Sequence, residues 1–299
     1  RDLHSLRPAA SDVYKRQEVE RALTVKKRPT SIAVTFNPAT AIYWNESLEI
    51  LVDYTDELDG SPVRNANVTV KIIGIGEWTL TEVSPGRYRL YFANFQWDAG
   101  TYTVLILASK QNYESEDATY TLVVYERPTY IDAPSYINIP WQENYTIQIQ
   151  YIDQRLDKPI PDANVTFELK NESGVLQSGP MTYSDGYYET TLDLTQFVEG
   201  AYTIYIYANK TNYEEKTADI VFEIRVRDTT LTAETTSLTV IYEQRIEIRF
   251  WYYDEDFSEY IPGAQATYIM TGVDIQVSLS GTLQDLGNGT YVLNISTTD

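Results

Sequence analysis

Hydrophobic and polar residues alternate along most of the chain. One such stretch places Leu48, Ile50, Val52 and Tyr54 on one face and leaves Glu49, Leu51 and Asp53 outside, and similar runs occupy residues 147–151 and 246–252. A period of two predicts β-strands with one buried face rather than helices. The spacing of the runs predicts about seven short strands in each stretch of about 100 residues, and therefore an all-β fold.

The alternating pattern itself repeats along the chain. Arg28-Pro-Thr-Ser-Ile returns as Arg127-Pro-Thr-Tyr-Ile and as Arg227-Asp-Thr-Thr-Leu, and a Gly-x-Tyr motif returns in each unit. Repetition at this period indicates tandem domains, with expected bounds of 28–126, 127–226 and 227–299. Aligning the Gly-x-Tyr motifs leaves the third unit about 30 residues short of a full repeat, so we expect it to be C-terminally truncated.

Residues 1–27 precede the first repeat and need a separate interpretation. Residues 18–27 resemble the last strand of a repeat, and we expect them to be the remnant of a preceding domain. The peptide DVYKRQ at residues 12–17 is what GAT GTG TAT AAG AGA CAG encodes, which resembles a transposase adapter end used in sequencing libraries. On that resemblance, residues 1–17 are a junction artefact and the chain is a fragment of metagenomic origin.

Two motifs resemble immunoglobulin-like domains. Asp98-Ala-Gly-Thr-Tyr-Thr-Val is similar to the D-x-G-x-Y-x-C segment of immunoglobulin strand F, with Tyr102, and Tyr202 in the second repeat, at the tyrosine-corner position. Val104 and Ile204 stand where that family has its disulfide cysteine. Gly60-Ser-Pro-Val-Arg-Asn-Ala-Asn-Val resembles the G-x-P-[VI]-x-x-A-x-V segment of prokaryotic Ig-like domains. The resemblance implies tandem immunoglobulin-like β-sandwiches without disulfides, in a prokaryotic and specifically an archaeal surface or secreted protein.

Composition excludes several functions. The 299 residues include no Cys, so the chain offers no thiolate nucleophile. The single His, His4, lies in the expected junction segment, so we expect no Ser–His–Asp triad. The formal net charge of −20 argues against nucleic acid as a partner. The 26 Tyr residues, by contrast, are typical of half-buried sheet surfaces. We therefore expect no catalytic residues, no cofactor and no resident metal.

Glycosylation is the sharpest candidate chemistry. Eight of the 14 asparagines head an Asn-x-Ser/Thr motif, and alternation places none of them at a core position. An acceptor asparagine has to face water, so the pattern predicts N-glycosylation in a host with the machinery. The eight candidates are Asn45, Asn67, Asn144, Asn164, Asn171, Asn209, Asn288 and Asn294.

Two weaker candidates remain. Acidic loops follow one strand of each repeat, beginning at Asp53, Asp153 and Asp254. Their oxygen atoms could bind Ca²⁺, but the spacing does not match a calcium loop, and solvated turns are the favoured interpretation. Outward aromatic residues could bind sugars or proteins, or pack against a neighbouring loop, and these are Tyr205, Tyr207 and Trp251.

The joins between repeats contain no glycine or serine spacer, so we expect semi-rigid connections. This organisation predicts a non-catalytic structural or adhesive stalk of an extracellular or cell-surface protein. Its expected partners are other surface proteins or glycans, and any membrane attachment would come through an anchor outside this fragment. Two alternatives stay open: a spacer array of a secreted multidomain enzyme, and a carbohydrate- or protein-binding module that acts through the outward aromatics.

Overall fold

The computed structural model describes residues 23–272 and 278–296, whose regular secondary structure is entirely β. The adapter-like residues 1–17 and the start of the expected remnant strand, 18–22, lie outside the described residues. Residues 23–27 form no strand. None of the described residues belongs to a helix with the length and hydrophobicity needed to cross a membrane.

The first sandwich contains nine strands in two sheets. The strands are β1 (Thr30–Asn37), β2 (Ala41–Tyr43), β3 (Leu48–Asp56), β4 (Asn67–Ile72), β5 (Gly76–Thr79), β6 (Thr81–Ser84), β7 (Arg87–Phe92), β8 (Gly100–Ser109) and β9 (Glu116–Tyr125). One sheet has the order β1-β3-β7-β6 and the other β2-β9-β8-β4-β5. Neighbours are antiparallel except β2 and β9, which run parallel.

The core of the first sandwich lies between these sheets. Leu48, Ile50, Val52 and Tyr54 are completely buried on β3, as their alternation predicts. Val104, at the position of the immunoglobulin cysteine, is also completely buried, so apolar packing occupies the place of the disulfide.

The second sandwich has the same arrangement. Its strands are β10 (Thr129–Asp132), β11 (Tyr136–Pro140), β12 (Asn144–Asp153), β13 (Lys158–Pro159), β14 (Asn164–Asn171), β15 (Gly174–Pro180), β16 (Thr182–Ser184), β17 (Tyr187–Asp193), β18 (Gly200–Lys210) and β19 (Tyr213–Arg225). The sheets have the orders β10-β12-β17-β16, with β13 paired to β12, and β11-β19-β18-β14-β15. Strands β11 and β19 are parallel.

The third repeat forms one larger sheet and one hairpin. Its strands are β20 (Thr229–Ala233), β21 (Arg245–Asp254), β22 (Glu259–Tyr260), β23 (Thr267–Thr271), β24 (Ser278–Thr282), β25 (Gln284–Asp285) and β26 (Thr290–Ser296). The sheet has the order β20-β21-β26-β25, with β22 on β21. Within the described residues β23 pairs only with β24, whereas β4 and β14 also pair with β8 and β18, and Ile269 on β23 is 75% exposed.

The strand order is that of immunoglobulin-like sandwiches. The sheet β1-β3-β7-β6 corresponds to strands A-B-E-D, and β9-β8-β4 to G-F-C. The chain therefore carries tandem Ig-like β-sandwiches. The expectation of about seven strands was too low. The first strand divides into β1 and β2, or β10 and β11, on opposite sheets, and an additional edge strand, β5 or β15, lies beside β4 or β14. The second sandwich also has the short β13 beside β12. Pro38 and Pro134 lie at these divisions, where their missing N–H groups interrupt the ladder.

Candidate functional site

Each repeat begins with an arginine that pairs with an aspartate at the end of its second long strand. The pairs are Arg28 with Asp56, Arg127 with Asp153, and Arg227 with Asp254. In the second pair Nη2 of Arg127 lies 3.1 Å from Oδ1 of Asp153, and Nε contacts Oδ2. The aspartates are almost completely buried, and a buried carboxylate needs such a charge-assisted partner.

The acidic loops are therefore not simply solvated turns. That interpretation was wrong for Asp56, Asp153 and Asp254, because these three aspartates are buried. Besides the arginine, Oδ1 of Asp153 accepts hydrogen bonds from the backbone N–H groups of Arg155 and Leu156, at 2.9 and 3.1 Å. These bonds leave little of the carboxylate for a cation. Across residues 23–272 and 278–296, no group of three or more acidic or imidazole side chains is placed to hold a metal ion.

In the two complete sandwiches, Arg28 and Arg127 also close the first strand onto the last hairpin of their own sandwich. The backbone N–H of Arg127 donates to the carbonyl of Asn212 at 2.9 Å, and the N–H of Glu214 donates to the carbonyl of Arg127 at 3.0 Å. The Tyr151 hydroxyl donates to the Glu214 carbonyl, and burial raises the pKa of Tyr151. The first sandwich repeats the pattern with Arg28, whose backbone N–H donates to Asn112. These bonds hold the start of each complete sandwich against its last hairpin.

The second and third repeats are joined by a charged junction. The Arg225 guanidinium pairs with both carboxylate oxygens of Asp256, with Nη1 at 2.9 Å from Oδ2, and that bond lowers the pKa of Asp256. The guanidinium of Arg227 lies 5.5 Å from the Trp141 ring and 4.3 Å from the Phe257 ring. Its Nε also donates to the Trp141 carbonyl at 2.7 Å. Two arginines thus connect these repeats at the point where the chain passes between them.

The two tyrosine-corner candidates make the local bond that their motif implies. The Tyr102 hydroxyl donates to the Asp98 carbonyl at 2.6 Å, and the Tyr202 hydroxyl to the Val198 carbonyl at 3.0 Å. Each bond spans four residues and holds the turn before β8 or β18. The replacement of Asp98 by Val198 leaves the bond in place, because the acceptor is a backbone carbonyl.

A second set of structural tyrosines was missed in the sequence. The buried Tyr188 hydroxyl donates to the Ile160 carbonyl at 2.7 Å and accepts from the Ala163 N–H at 2.8 Å, and burial raises its pKa. Tyr88 and Tyr291 make the same two bonds in the other repeats. The recurring Gly-x-Tyr motif was the available signal. Gly86 shows why glycine is needed there, since its φ is +72° and a Cβ would lie 2.6 Å from Pro62.

Exposure divides the sequon asparagines. Seven are exposed, whereas Asn209 is partly buried and its Nδ2 donates to the Tyr207 hydroxyl at 3.0 Å. Asn164 and Asn209 are also directly opposite each other on β14 and β18. Asn171 ends β14, and its Oδ1 accepts from the Ser173 N–H at 2.9 Å. The exposed set is Asn45, Asn67, Asn144, Asn164, Asn171, Asn288 and Asn294.

The outward aromatics are placed differently from one another. The Tyr207 hydroxyl donates to Glu215 at 2.8 Å, which raises the pKa of Tyr207. Trp251 is half-buried on β21, between Thr232 and Thr290 of the neighbouring strands. Tyr205 is half-buried on the outer face of β18 and lines a groove of about 620 Å³. Tyr205 and Tyr207 therefore share the outer face of β18, whereas Trp251 lies in the third repeat, and Tyr205 lines this groove.

Solved structures with similar chains include tandem repeats and adhesins. Three consecutive titin immunoglobulin domains match 91% of this chain and 89% of their own, at 12% identity and a TM-score of 0.31. A tetra-tandem repeat from the extending region of a large adhesion protein matches 89% and 65%, at 14% identity and 0.34. The Yersinia pseudotuberculosis adhesin InvE matches 64% and 58%, at 12% and 0.31.

No family model matches the sequence, and a comparison with curated proteins gave no match. At the identities and TM-scores of the solved structures, the comparison adds nothing to the assignment of function. The fold therefore rests on the strand order and buried cores of the sandwiches themselves.

Proposed function

We propose that this chain is a non-catalytic stalk segment of an extracellular surface protein, N-glycosylated, which bears load between an anchor and an adhesive or exposed part. Its repeats serve as spacers. Each repeat begins with an arginine that pairs with a buried aspartate of the same repeat. Other surface proteins or glycans are its partners. Localisation at the cell surface and attachment through a separate anchor are parts of the same proposal.

The observation that carries the proposal is the parallel pairing of an early and a late strand in each complete sandwich. Three residue pairs join β2 to β9, and five join β11 to β19. When a sandwich is pulled by its two ends, parallel strands move in opposite directions along their axes. Their hydrogen bonds then break together rather than one by one, so this arrangement resists extension.

Surface chemistry supports an exposed location. The formal net charge of −20 keeps copies apart and favours solubility. The exposed sequon asparagines provide attachment points for sugars, which require a water-facing amide. Load bearing, charge and sugar attachment together fit a protein that works outside the cell.

Single-molecule force spectroscopy on the full chain tests the proposal. Each complete sandwich spans nearly one hundred residues, so we expect two unfolding events with contour-length gains of about 30 nm each. The sandwich with the five-pair ladder should unfold at the higher force, because more hydrogen bonds share the load. A smooth extension without discrete events would contradict a load-bearing role.

The absence of cysteine from the sequence permits a matched control. Handles attached at Ser135→Cys and Val221→Cys pull the ends of the β11–β19 ladder apart sideways, so its bonds open one at a time. The second sandwich should then unfold at a clearly lower force than in end-to-end pulling. Equal forces in the two geometries would show that the parallel ladder does not carry the load.

A further inference from the structure

The groove on the outer face of the second sandwich has one sequon asparagine on its rim. Its lining residues come from β14, β18, β19 and the turn after β14, and include Lys170, Asn171, Thr203, Tyr205, Asp219 and Val221. Cross-strand pairing places Lys170 opposite Thr203 and Tyr205 opposite Asp219. The groove therefore combines the outward Tyr205 ring with hydroxyl, ammonium and carboxylate groups, a combination suited to a sugar.

The amide of Asn171 is arranged so that it can carry a substituent. Its Oδ1 is held by the Ser173 backbone N–H, and this bond does not use Nδ2, the atom to which a sugar attaches. Asn209, by contrast, uses its Nδ2 in a bond to the Tyr207 hydroxyl. The side chain of Asn171 is exposed, so a transferase can reach it.

The sequon and the aromatic ring occur together. At the positions that correspond to Asn171 and Tyr205, the first sandwich has Gly74 and Leu105. The first sandwich therefore lacks both the attachment point and the ring at this place. The pairing of the two features in the second sandwich distinguishes it from the common structural pattern of the repeats.

We propose that the oligosaccharide carried by Asn171 folds back into this groove and packs its first sugar against the ring of Tyr205. The inference rests on the proposed N-glycosylation. The apolar C–H face of a sugar covers the aromatic ring, and sugar hydroxyls bond to the polar lining residues. In the attachment step, Nδ2 of Asn171 loses one proton and bonds to the anomeric carbon of a lipid-linked donor, whose pyrophosphate leaves.

Lys170 fits this arrangement. Its ammonium group lies 4.5 Å from the centre of the Tyr205 ring and 3.2 Å from Glu168. The cation therefore fixes one side of the ring, and the ring is ordered before the sugar packs against it. An ordered platform lowers the entropy lost when the sugar settles into the groove.

Hydroxyl-radical footprinting of the full chain, secreted from a mammalian cell line behind an added signal sequence, tests the inference. Glycopeptide mass spectrometry first measures occupancy at Asn171. Labelling of Tyr205 should be slower by at least about twofold in the occupied protein than in Ser173→Ala, since a packed sugar covers one of the two ring faces. Tyr207 lies outside the groove and should be labelled equally in both.

The outcomes are distinct. Ser173→Ala removes the sequon and keeps the Asn171 side chain, so a change in Tyr205 labelling reports the sugar alone. Occupied Asn171 with unchanged Tyr205 labelling would overturn the groove packing and leave glycosylation standing. An unoccupied Asn171 would overturn the attachment at this site, and the groove packing with it.

Discussion

The side chains of Arg127 and Asp153 are only 5% and 3% exposed, so the first residue of the second sandwich forms a buried ion pair with the last residue of β12. The corresponding Arg28 of the first sandwich is 41% exposed, although its partner Asp56 is equally buried. The same ion pair is thus buried in the second sandwich and partly exposed to water in the first. Removal of the aspartate leaves the arginine without a counter-charge. The buried pair and the partly exposed pair should therefore respond differently to mutation.

We expect Asp153→Ala to lower the free energy of unfolding of the second sandwich by about 3–5 kcal/mol, because it leaves a buried guanidinium without a counter-charge. Asp56→Ala should cost the first sandwich about 1–2 kcal/mol, since water can hydrate Arg28. Urea unfolding of the full chain measures both. Because the chain contains five tryptophans, hydrogen exchange resolved by peptide mass spectrometry assigns each transition to its sandwich. Equal losses in the two variants would show that burial of the arginine is unimportant.

Tyr188→Phe should destabilise the second sandwich by about 1–3 kcal/mol, because it leaves the Ala163 N–H and the Ile160 carbonyl without their partner. Tyr202→Phe, which removes one bond to a backbone carbonyl, should cost less, about 1 kcal/mol. Thermal and urea unfolding rank the two variants. The reverse ranking would mean that the tyrosine corner at Tyr202 contributes more to stability than Tyr188 does.

Acid should weaken the junction between the second and third repeats. The hydrogen bond from Arg225 holds the pKa of Asp256 below its ordinary value in the folded chain. A depressed folded pKa means that the ionised carboxylate stabilises the fold above the unfolded value of about 3.9, and that this contribution is lost as pH falls through the folded value. Carbon-detected NMR titration of Asp256 should therefore show a low midpoint.

Arg225→Gln should raise that midpoint, because it removes the cation. Asp193 provides the control: a hydrogen bond from the Thr195 side chain lowers its pKa locally, so its midpoint should be the same in both proteins. An unchanged Asp256 midpoint in Arg225→Gln would contradict the ion pair.

Asn164 and Asn209 should not be occupied together. They are directly opposite on neighbouring strands, where Cβ atoms lie about 5 Å apart, which leaves no room for two oligosaccharides. Because the Nδ2 of Asn209 is engaged by Tyr207, we expect sugar at Asn164. Glycopeptide analysis measures occupancy, and Asn164→Gln should not lower occupancy at Asn67, which faces Ser109. Doubly occupied molecules would contradict the prediction.

Strand alternation was sufficient to predict the all-β sandwich, because one buried face per strand is a local property of the sequence. Ile147, Ile149 and Tyr151 are buried on β12 as expected, and the repeat period exposed the tandem organisation. The strand count was less accurate. The division of the first strand between two sheets depends on where the chain crosses the sandwich, and alternation does not encode that crossing.

The polar interior was predicted least well. The acidic loops contain many carboxylates, and one becomes buried in each repeat. In the second repeat it is Asp153, which is selected by an arginine 26 residues away in sequence. Tyr188 binds backbone atoms 25 and 28 residues away. Such partners are set by tertiary packing rather than by neighbours in the chain. Recurrence across repeats was the only local sign of either residue.

The closure of the first strand also bears on the order of synthesis. Thr129 of β10 donates to the carbonyl of Glu214, 85 residues later, and Arg127 pairs with the same hairpin. A ribosome releases the beginning of the second sandwich long before that hairpin exists, so the first strand has to wait for its final partners. Each sandwich therefore completes its fold only at the end of its own translation, and until then its waiting first strand is available for exchange with a neighbouring repeat of nearly equal sequence pattern.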